Sequence, residues 1–211
     1  DGANSAYVVL EDGQVVTIPT KPTEGKGNNS PLLKGAAKFP VPAKAPVAHS
    51  IIPWPKSVAT TGQRIAPAGF DLKPQGEAAN RAVAAFAGLV HDLFPVEALV
   101  RPASEAGMPV HVTEKLGMGA EAYELSFSED SVTVSASTRQ GMFYGLVTLG
   151  HMLRGAKQYP HTFSFPTGGT ISDEPGFAFR GSHLDVARQF YTGGEVSQLI
   201  KIMAWNKMNK F

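Results

Sequence analysis

Between Tyr123 and Ala136 the chain alternates apolar and polar residues with a period of two, and no other feature restricts the possible folds as strongly. Tyr123, Leu125 and Phe127 oppose Glu124, Ser126 and Ser128, and Val132, Val134 and Ala136 repeat the period after a short turn at Glu129-Asp130. Successive strand side chains point to opposite faces, so these are half-buried antiparallel strands whose apolar face needs a cover. Two amphipathic segments can supply it. Residues 77–94 place Val83, Phe86, Leu89, Val90 and Leu93 at helical spacing before Pro95 stops the helix. Residues 138–154 set Met142, Leu146, Leu149 and Leu153 on one stripe. The pattern predicts an α+β two-layer domain over residues 50–173, an antiparallel sheet covered by two helices, with a further strand at residues 109–113.

The flanking regions follow different rules. Residues 7–18 hold two β-branched runs around Asp12-Gly13, the signature of a tight hairpin. A lone hairpin is marginal in water, so this one is expected to be the tail of a preceding β-rich domain. Pro19, Pro22, Pro31, Pro40, Pro42 and Pro46, set among Gly, Lys, Ala and Asn, make the rest of residues 1–49 a linker. After Pro166, Thr170-Ile171-Ser172 reads as extended, Asp173 to Gly176 as a turn, and Phe177 to Leu184 as a strand. A helix opened by Gly193-Gly194 is expected to bury Val196, Leu199, Ile200 and Met203, and another strand can begin at Asn209-Lys210-Phe211. One strand and one helix cannot bury their own apolar faces, so residues 174–211 are expected to continue into further polypeptide. A strand, helix, strand beginning opens a parallel α/β sheet or a barrel.

Composition narrows the chemistry. Lys+Arg 19 against Asp+Glu 18 leaves a formal charge of +1, too little to gather nucleic acid or an anionic membrane. No apolar run approaches the length of a membrane span, and no cysteine is present, which removes thiolate nucleophiles and zinc-cysteine sites. His49, His91, His111, His151 and His161 lack a short ligand spacing, so neither a metal nor a cofactor is expected. Gly117-Met118-Gly119-Ala120-Glu121-Ala122 fits a loose dinucleotide fingerprint, but strand alternation follows it where the fingerprint requires a helix.

Residues 173–211 resemble the opening of the catalytic barrel in glycoside hydrolase family 20, the β-N-acetylhexosaminidases. The resemblance is carried by Arg180-Gly181, then Leu184-Asp185-Val186-Ala187-Arg188, Phe190-Tyr191 and Lys207-Met208-Asn209, four elements in register. Residues 51–172, notably the run from Tyr123 to Leu149, are similar to the small α/β domain that precedes that barrel. The resemblance implies that residues 174–211 are the first β/α unit of a truncated (β/α)8 TIM barrel. It also implies a glycoside hydrolase that removes terminal β-linked GlcNAc or GalNAc from oligosaccharides, including chitin pieces and glycans. In this family the substrate's own acetamido oxygen attacks the anomeric carbon in a retaining reaction, assisted by an Asp-Glu pair farther along the barrel. No catalytic residue then lies in these 211 residues, and the piece alone is expected to be inactive.

By the same resemblance Arg180 is the substrate-binding residue, its guanidinium fork suited to two sugar hydroxyls. A charged hydrogen bond of that kind is worth about 1.5–3 kcal/mol, so its loss is expected to cost roughly 10 to 100-fold. Asp185 and Arg188, three apart, can pair with each other or with loop backbone and stiffen the strand-to-helix turn as structural support of the site. His183 is expected to pack against a helix, and Phe190, Tyr191 and Trp205 to serve packing. Asp173-Glu174 has the composition of the catalytic pair but precedes the first barrel strand, so it reads as a turn. The implied partners are an N-acetylhexosamine-terminated oligosaccharide and the rest of the barrel, in a periplasmic or secreted bacterial enzyme. The alternative is a non-catalytic carbohydrate-binding or docking module with an inert barrel remnant.

Overall fold

A computed structural model describes residues 49–102 and 105–211 in full and the backbone of residues 5–9 and 15–19. In the first of its two units, Asp1–Ala45, strand β1 (Ser5–Val9) pairs antiparallel with β2 (Val15–Pro19), in the register Ser5↔Pro19 to Val9↔Val15. The expected hairpin therefore forms; its Asp12-Gly13 turn and the proline-rich stretch lie outside the described residues.

The second unit, Pro46–Phe211, is built on a six-stranded sheet. Its strands are β3 (Ser57–Thr61), β4 (Phe70–Pro74), β5 (Met108–Glu114), β6 (Tyr123–Phe127), β7 (Val132–Ala136) and β8 (Gly168–Asp173), in the spatial order β3-β8-β6-β7-β5-β4. The sheet is mixed, which corrects the antiparallel expectation: β7 pairs β5 and β5 pairs β4 in parallel, while the other three pairings are antiparallel. For β4 and β5 the cause is helix α1 (Glu77–Leu93), which joins them. A helix between adjacent strands carries the chain back to the end it started from, so those strands run the same way.

Both predicted covering helices form. Helix α2 (Arg139–Gln158) starts where Thr138 accepts a hydrogen bond from the Gly141 N–H, and it buries Met142, Leu146, Leu149 and Leu153 completely. It runs past the expected end at residue 154, through Gly155, which accepts the Tyr159 N–H at 2.8 Å. In α1, Phe86 is fully buried and Leu89 and Val90 nearly so, whereas Val83 and Leu93 are partly buried at the edge of the core. The apolar sides of β5, β6 and β7 complete this core with Val110, Val112, Leu125 and Val134, all at 0% exposure.

The last helix, α3 (Gly193–Trp205), is opened by a capping box in which Thr192 accepts the Glu195 N–H and Glu195 reaches back to the Thr192 N–H. The stripe predicted to be buried is a correction: only Met203 is buried, and Ile200 is 46% exposed. The helix docks by its C-terminal end, where Trp205 meets Phe94 at 4.8 Å and His151 at 4.3 Å, and Lys201 pairs with Asp92 at 2.9 Å. Its start, from Thr192 to Glu195, is exposed. Trp205 thus takes the core role expected of it.

The strand expected at Phe177 to Leu184 is reduced to a single parallel bridge, Gly181↔Lys210. Phe177 and Phe179 are 78% and 72% exposed, so the segment has no sheet face to settle on. For the same reason His183 and Phe190 are exposed rather than packed.

Candidate functional site

The Arg180 guanidinium is the centre of a closed polar cluster. It forms a two-pronged pair with Glu121, Nη1 donating to Oε2 at 2.9 Å and Nη2 to Oε1 at 2.9 Å. Nη1 also donates to the Phe177 carbonyl at 2.7 Å, Nη2 to the Tyr144 hydroxyl at 3.0 Å, and Nε to the Lys207 carbonyl at 2.9 Å. A guanidinium has five N–H donors, and all five are engaged. The two charged side chains are only 17% and 24% exposed.

Glu121 is itself gathered from several directions. Its Oε1 accepts from the Tyr144 hydroxyl at 3.2 Å and from Asn209 Nδ2 at 3.3 Å. The Arg180 guanidinium holds its carboxyl below the usual carboxylate range, and Glu121 in turn raises the Arg180 value. Asn209 closes the ring through the backbone: its Oδ1 accepts the Arg180 N–H at 3.0 Å, and its own N–H donates to the Arg180 carbonyl at 2.8 Å.

A second cluster lies on the other side of residue 207. The Lys207 N–H donates to Ala204 at 3.1 Å and the Met208 N–H to Met203 at 3.0 Å, a Schellman closure of α3 that puts Lys207 at φ 57. From there its ammonium turns inward, 4% exposed, and donates to the Tyr123 hydroxyl at 3.0 Å, with Asp173 at 3.9 Å. The Tyr123 hydroxyl donates to Asp173 Oδ2 at 3.1 Å and contacts Thr148 Oγ1 at 2.7 Å. Burial pushes Lys207 down to about 8 and raises Tyr123 above the ordinary phenol range. Asp173 is thus an anchor at the end of β8, accepting also from the Lys56 N–H at 3.2 Å, while Glu174 faces out near Lys56 at 3.8 Å.

The structure separates the three residues singled out in the sequence. Arg180 is drawn into the cluster just described. Asp185 is exposed and accepts the Ala187 N–H at 2.8 Å, the loop-backbone bond rather than a pairing with Arg188. Arg188 is exposed and makes no hydrogen bond or ion pair with the described residues. Glu121, Tyr144 and Asp173 were not read as partners of this region. Glu121 sits in the glycine pattern of the loop before β6, and nothing local distinguishes it from a solvated loop carboxylate.

Two histidines, His49 and His151, are buried. His49 is buried, with Nδ1 at 3.2 Å from the Ser164 carbonyl and Nε2 at 2.9 Å from Thr60 Oγ1. His151 accepts the Ile52 N–H at 3.4 Å, and burial pushes its imidazole down to about 3. Neutral in the folded chain, it takes up a proton in the unfolded chain below the ordinary imidazole value of 6.5. Its contribution is therefore complete above that pH and is lost progressively as pH falls towards 3. A His151→Gln variant is expected to show a shallower decline of unfolding free energy over that interval, followed by urea titrations; an unchanged slope would remove His151 as a source of acid sensitivity.

Comparison with known proteins places these features. The family described as "Glycosyl hydrolase family 20, domain 2" matches residues 48–174, and "Glycosyl hydrolase family 20, catalytic domain" matches residues 177–211. A beta-hexosaminidase of Porphyromonas gingivalis is 32% identical over 105 residues, covering 48% of this chain and 14% of its own length. A beta-N-acetylhexosaminidase of Cellulomonas fimi is 32% identical over 110 residues, covering 50% of this chain and 22% of its own. Among solved structures, the GH20 beta-N-acetylhexosaminidase from Streptomyces coelicolor A3(2) aligns over 77% of this chain and 34% of that one, with a TM-score of 0.57 and 28% identity. The Streptomyces plicatus N-acetyl-beta-hexosaminidase in complex with Thio-NAglucal gives a TM-score of 0.57 and 28% identity over 80% of this chain and 35% of that one. The aligned parts of this chain thus span less than a quarter of these two curated relatives and about a third of these two solved chains.

Proposed function

Because the chain belongs to glycosyl hydrolase family 20, we propose that the protein carrying it is an exo-acting β-N-acetylhexosaminidase. It removes terminal β-linked GlcNAc or GalNAc by substrate-assisted retaining hydrolysis, with the Asp-Glu pair supplied by residues outside these 211 and with no cofactor. The observation that carries the reading is the succession of two family 20 domains along one chain, the second beginning in the run that contains Arg180-Gly181 and Leu184-Asp185-Val186-Ala187-Arg188. In this reading residues 177–211 open the barrel, and the substrate is an oligosaccharide such as a chitin piece or a glycan, met in the periplasm or outside the cell.

Arg180 is the sugar-binding guanidinium that the family resemblance implies. With its five donors engaged, it can grip a hydroxyl only by sharing an N–H that already has an acceptor. A second reading is favoured by one observation: Arg188, in the same motif, has its donors free among the described residues and is exposed.

Hydrolysis of an aryl N-acetylglucosaminide by the full-length protein tests all of this. If Arg180 grips the sugar, Arg180→Ala lowers kcat/KM roughly 10 to 100-fold while Arg188→Ala stays near the parent. The reverse order assigns the role to Arg188. A parent protein that binds the sugar without turnover would sink the enzyme reading and leave the non-catalytic module.

A further inference from the structure

Four separate stretches of chain converge on the Arg180 guanidinium. They are the loop before β6 through Glu121, helix α2 through Tyr144, the turn after β8 through the Phe177 carbonyl, and the end of α3 through the Lys207 carbonyl. Two of these belong to the α/β domain and two to the segment that follows it. An isolated exposed ion pair contributes little, because water already solvates both ends well. This pair differs in being two-pronged, mostly shielded and tied to the backbone on both sides of α3. The forked geometry fixes orientation as well as distance.

From this convergence we propose that Glu121 is a positioning residue: acting through Arg180, it holds the segment from Ala178 to Ser182, so that the α/β domain sets the placement of the first barrel strand. The proposal rests on the enzyme reading for its catalytic consequence alone. With Glu121 removed, Arg180 keeps only carbonyl and hydroxyl acceptors and becomes an uncompensated, mostly shielded cation. It is then free to swing towards solvent. Apart from that guanidinium, the hydrogen bonds that tie the segment to the rest of the described residues run from Ala178, Arg180 and Ser182 to Asn209 and Lys210 alone, and Phe179 and Phe190 are exposed. Asn209 transmits the same constraint to the end of the segment after α3, because its side chain contacts Glu121 and its backbone contacts Arg180.

The test uses the full-length protein with Glu121→Ala, Glu121→Gln, Arg180→Ala and the Glu121→Ala/Arg180→Ala double variant. Hydrogen exchange and aryl N-acetylglucosaminide kinetics are measured well below each variant's melting temperature. Exchange of the Arg180, Ser182 and Asn209 amides, which are hydrogen-bonded between the two segments, is expected to speed at least tenfold in Glu121→Ala, with β6 and β7 unchanged. The same variant is expected to lose about tenfold in kcat/KM, and Glu121→Gln, which keeps the shape and one acceptor, to recover part of both effects. The double variant is expected to fall no further than Arg180→Ala, because both changes cut one connection. Unaltered exchange at Arg180, Ser182 and Asn209, multiplicative losses in the double variant, or altered exchange with unaltered kinetics in an active protein would each overturn the proposal. A parent protein with no hydrolysis sinks the enzyme reading instead, and the exchange data then decide the positioning role alone.

Discussion

Gly169→Val is expected to cost the domain about 3–5 kcal/mol, through backbone strain and collision acting together. Gly169 in β8 adopts φ 89, which side chains branched at Cβ scarcely tolerate. A Cβ there would lie 2.1 Å from the Ala59 carbonyl oxygen and 2.7 Å from the Thr60 Cα, both backbone atoms of the neighbouring strand. No rotamer change relieves that contact. Since Thr60 and Gly169 are paired in register, β3 must either leave the sheet or drag β8 out of line. Thermal unfolding is the measurement, with a drop on the order of 10 °C for a domain of this size. Gly176→Ala, at a glycine with nothing within 4 Å, serves as the control, expected to stay within about 0.5 kcal/mol of the parent. Equal melting temperatures for the two variants would contradict the close approach of β3 and β8.

The second large effect is expected from Phe86→Ala, about 3–5 kcal/mol for a fully buried aromatic reduced to a methyl. Phe86 lies where α1, α2 and Trp205 meet. The bare face of Gly150 lets both rings in: a Cβ there would sit 3.2 Å from Phe86 Cε2 and 2.8 Å from Trp205 Cη2. Emptying the Phe86 position removes dispersion contacts from Trp205 and loosens the docking of α3. Two tryptophans report on the chain, and Trp54 is already 48% exposed, so a red shift in native emission would track Trp205. Phe86→Leu keeps most of the volume and is expected to recover much of the loss. A native emission maximum unmoved by Phe86→Ala would mean that α3 docks independently of this core.

Elements whose information is local were legible. The alternation of Tyr123 to Phe127 and of Val132 to Ala136, and the stripe of Met142, Leu146, Leu149 and Leu153, lie where their periods put them. Strands β3 and β4 are harder to see than β6 and β7, which each alternate three apolar residues: in β3 Val58 and Ala59 are adjacent, and β4 offers only Phe70 and Leu72 before its proline. The parallel pairing of β4 with β5 was hidden with them. In α3 the period marks an apolar stripe of which only Met203 is buried, since periodicity states which face is apolar and not whether another element covers it.

The candidate site divides in the same way. Arg180-Gly181 and Lys207-Met208-Asn209 stood out as motifs, but the partner that takes two prongs of the guanidinium is 59 residues upstream, in a loop with no period of its own. Asp173 reads in the sequence as part of a turn, yet it ends β8 beside a lysine brought back by the whole length of α3.

By itself, then, the order of residues determined which stretches become strands and helices, which faces are apolar, and which family the chain resembles, since all of these are written in neighbours a few positions apart. Only the tertiary structure decided that the sheet is mixed, that α3 docks by its C-terminal end, and that Glu121, Tyr144 and Lys207 surround Arg180. Hydrogen-bond donors have short range and fixed direction, so the acceptor that satisfies each one is chosen by the folded chain in space and leaves no trace in the local pattern.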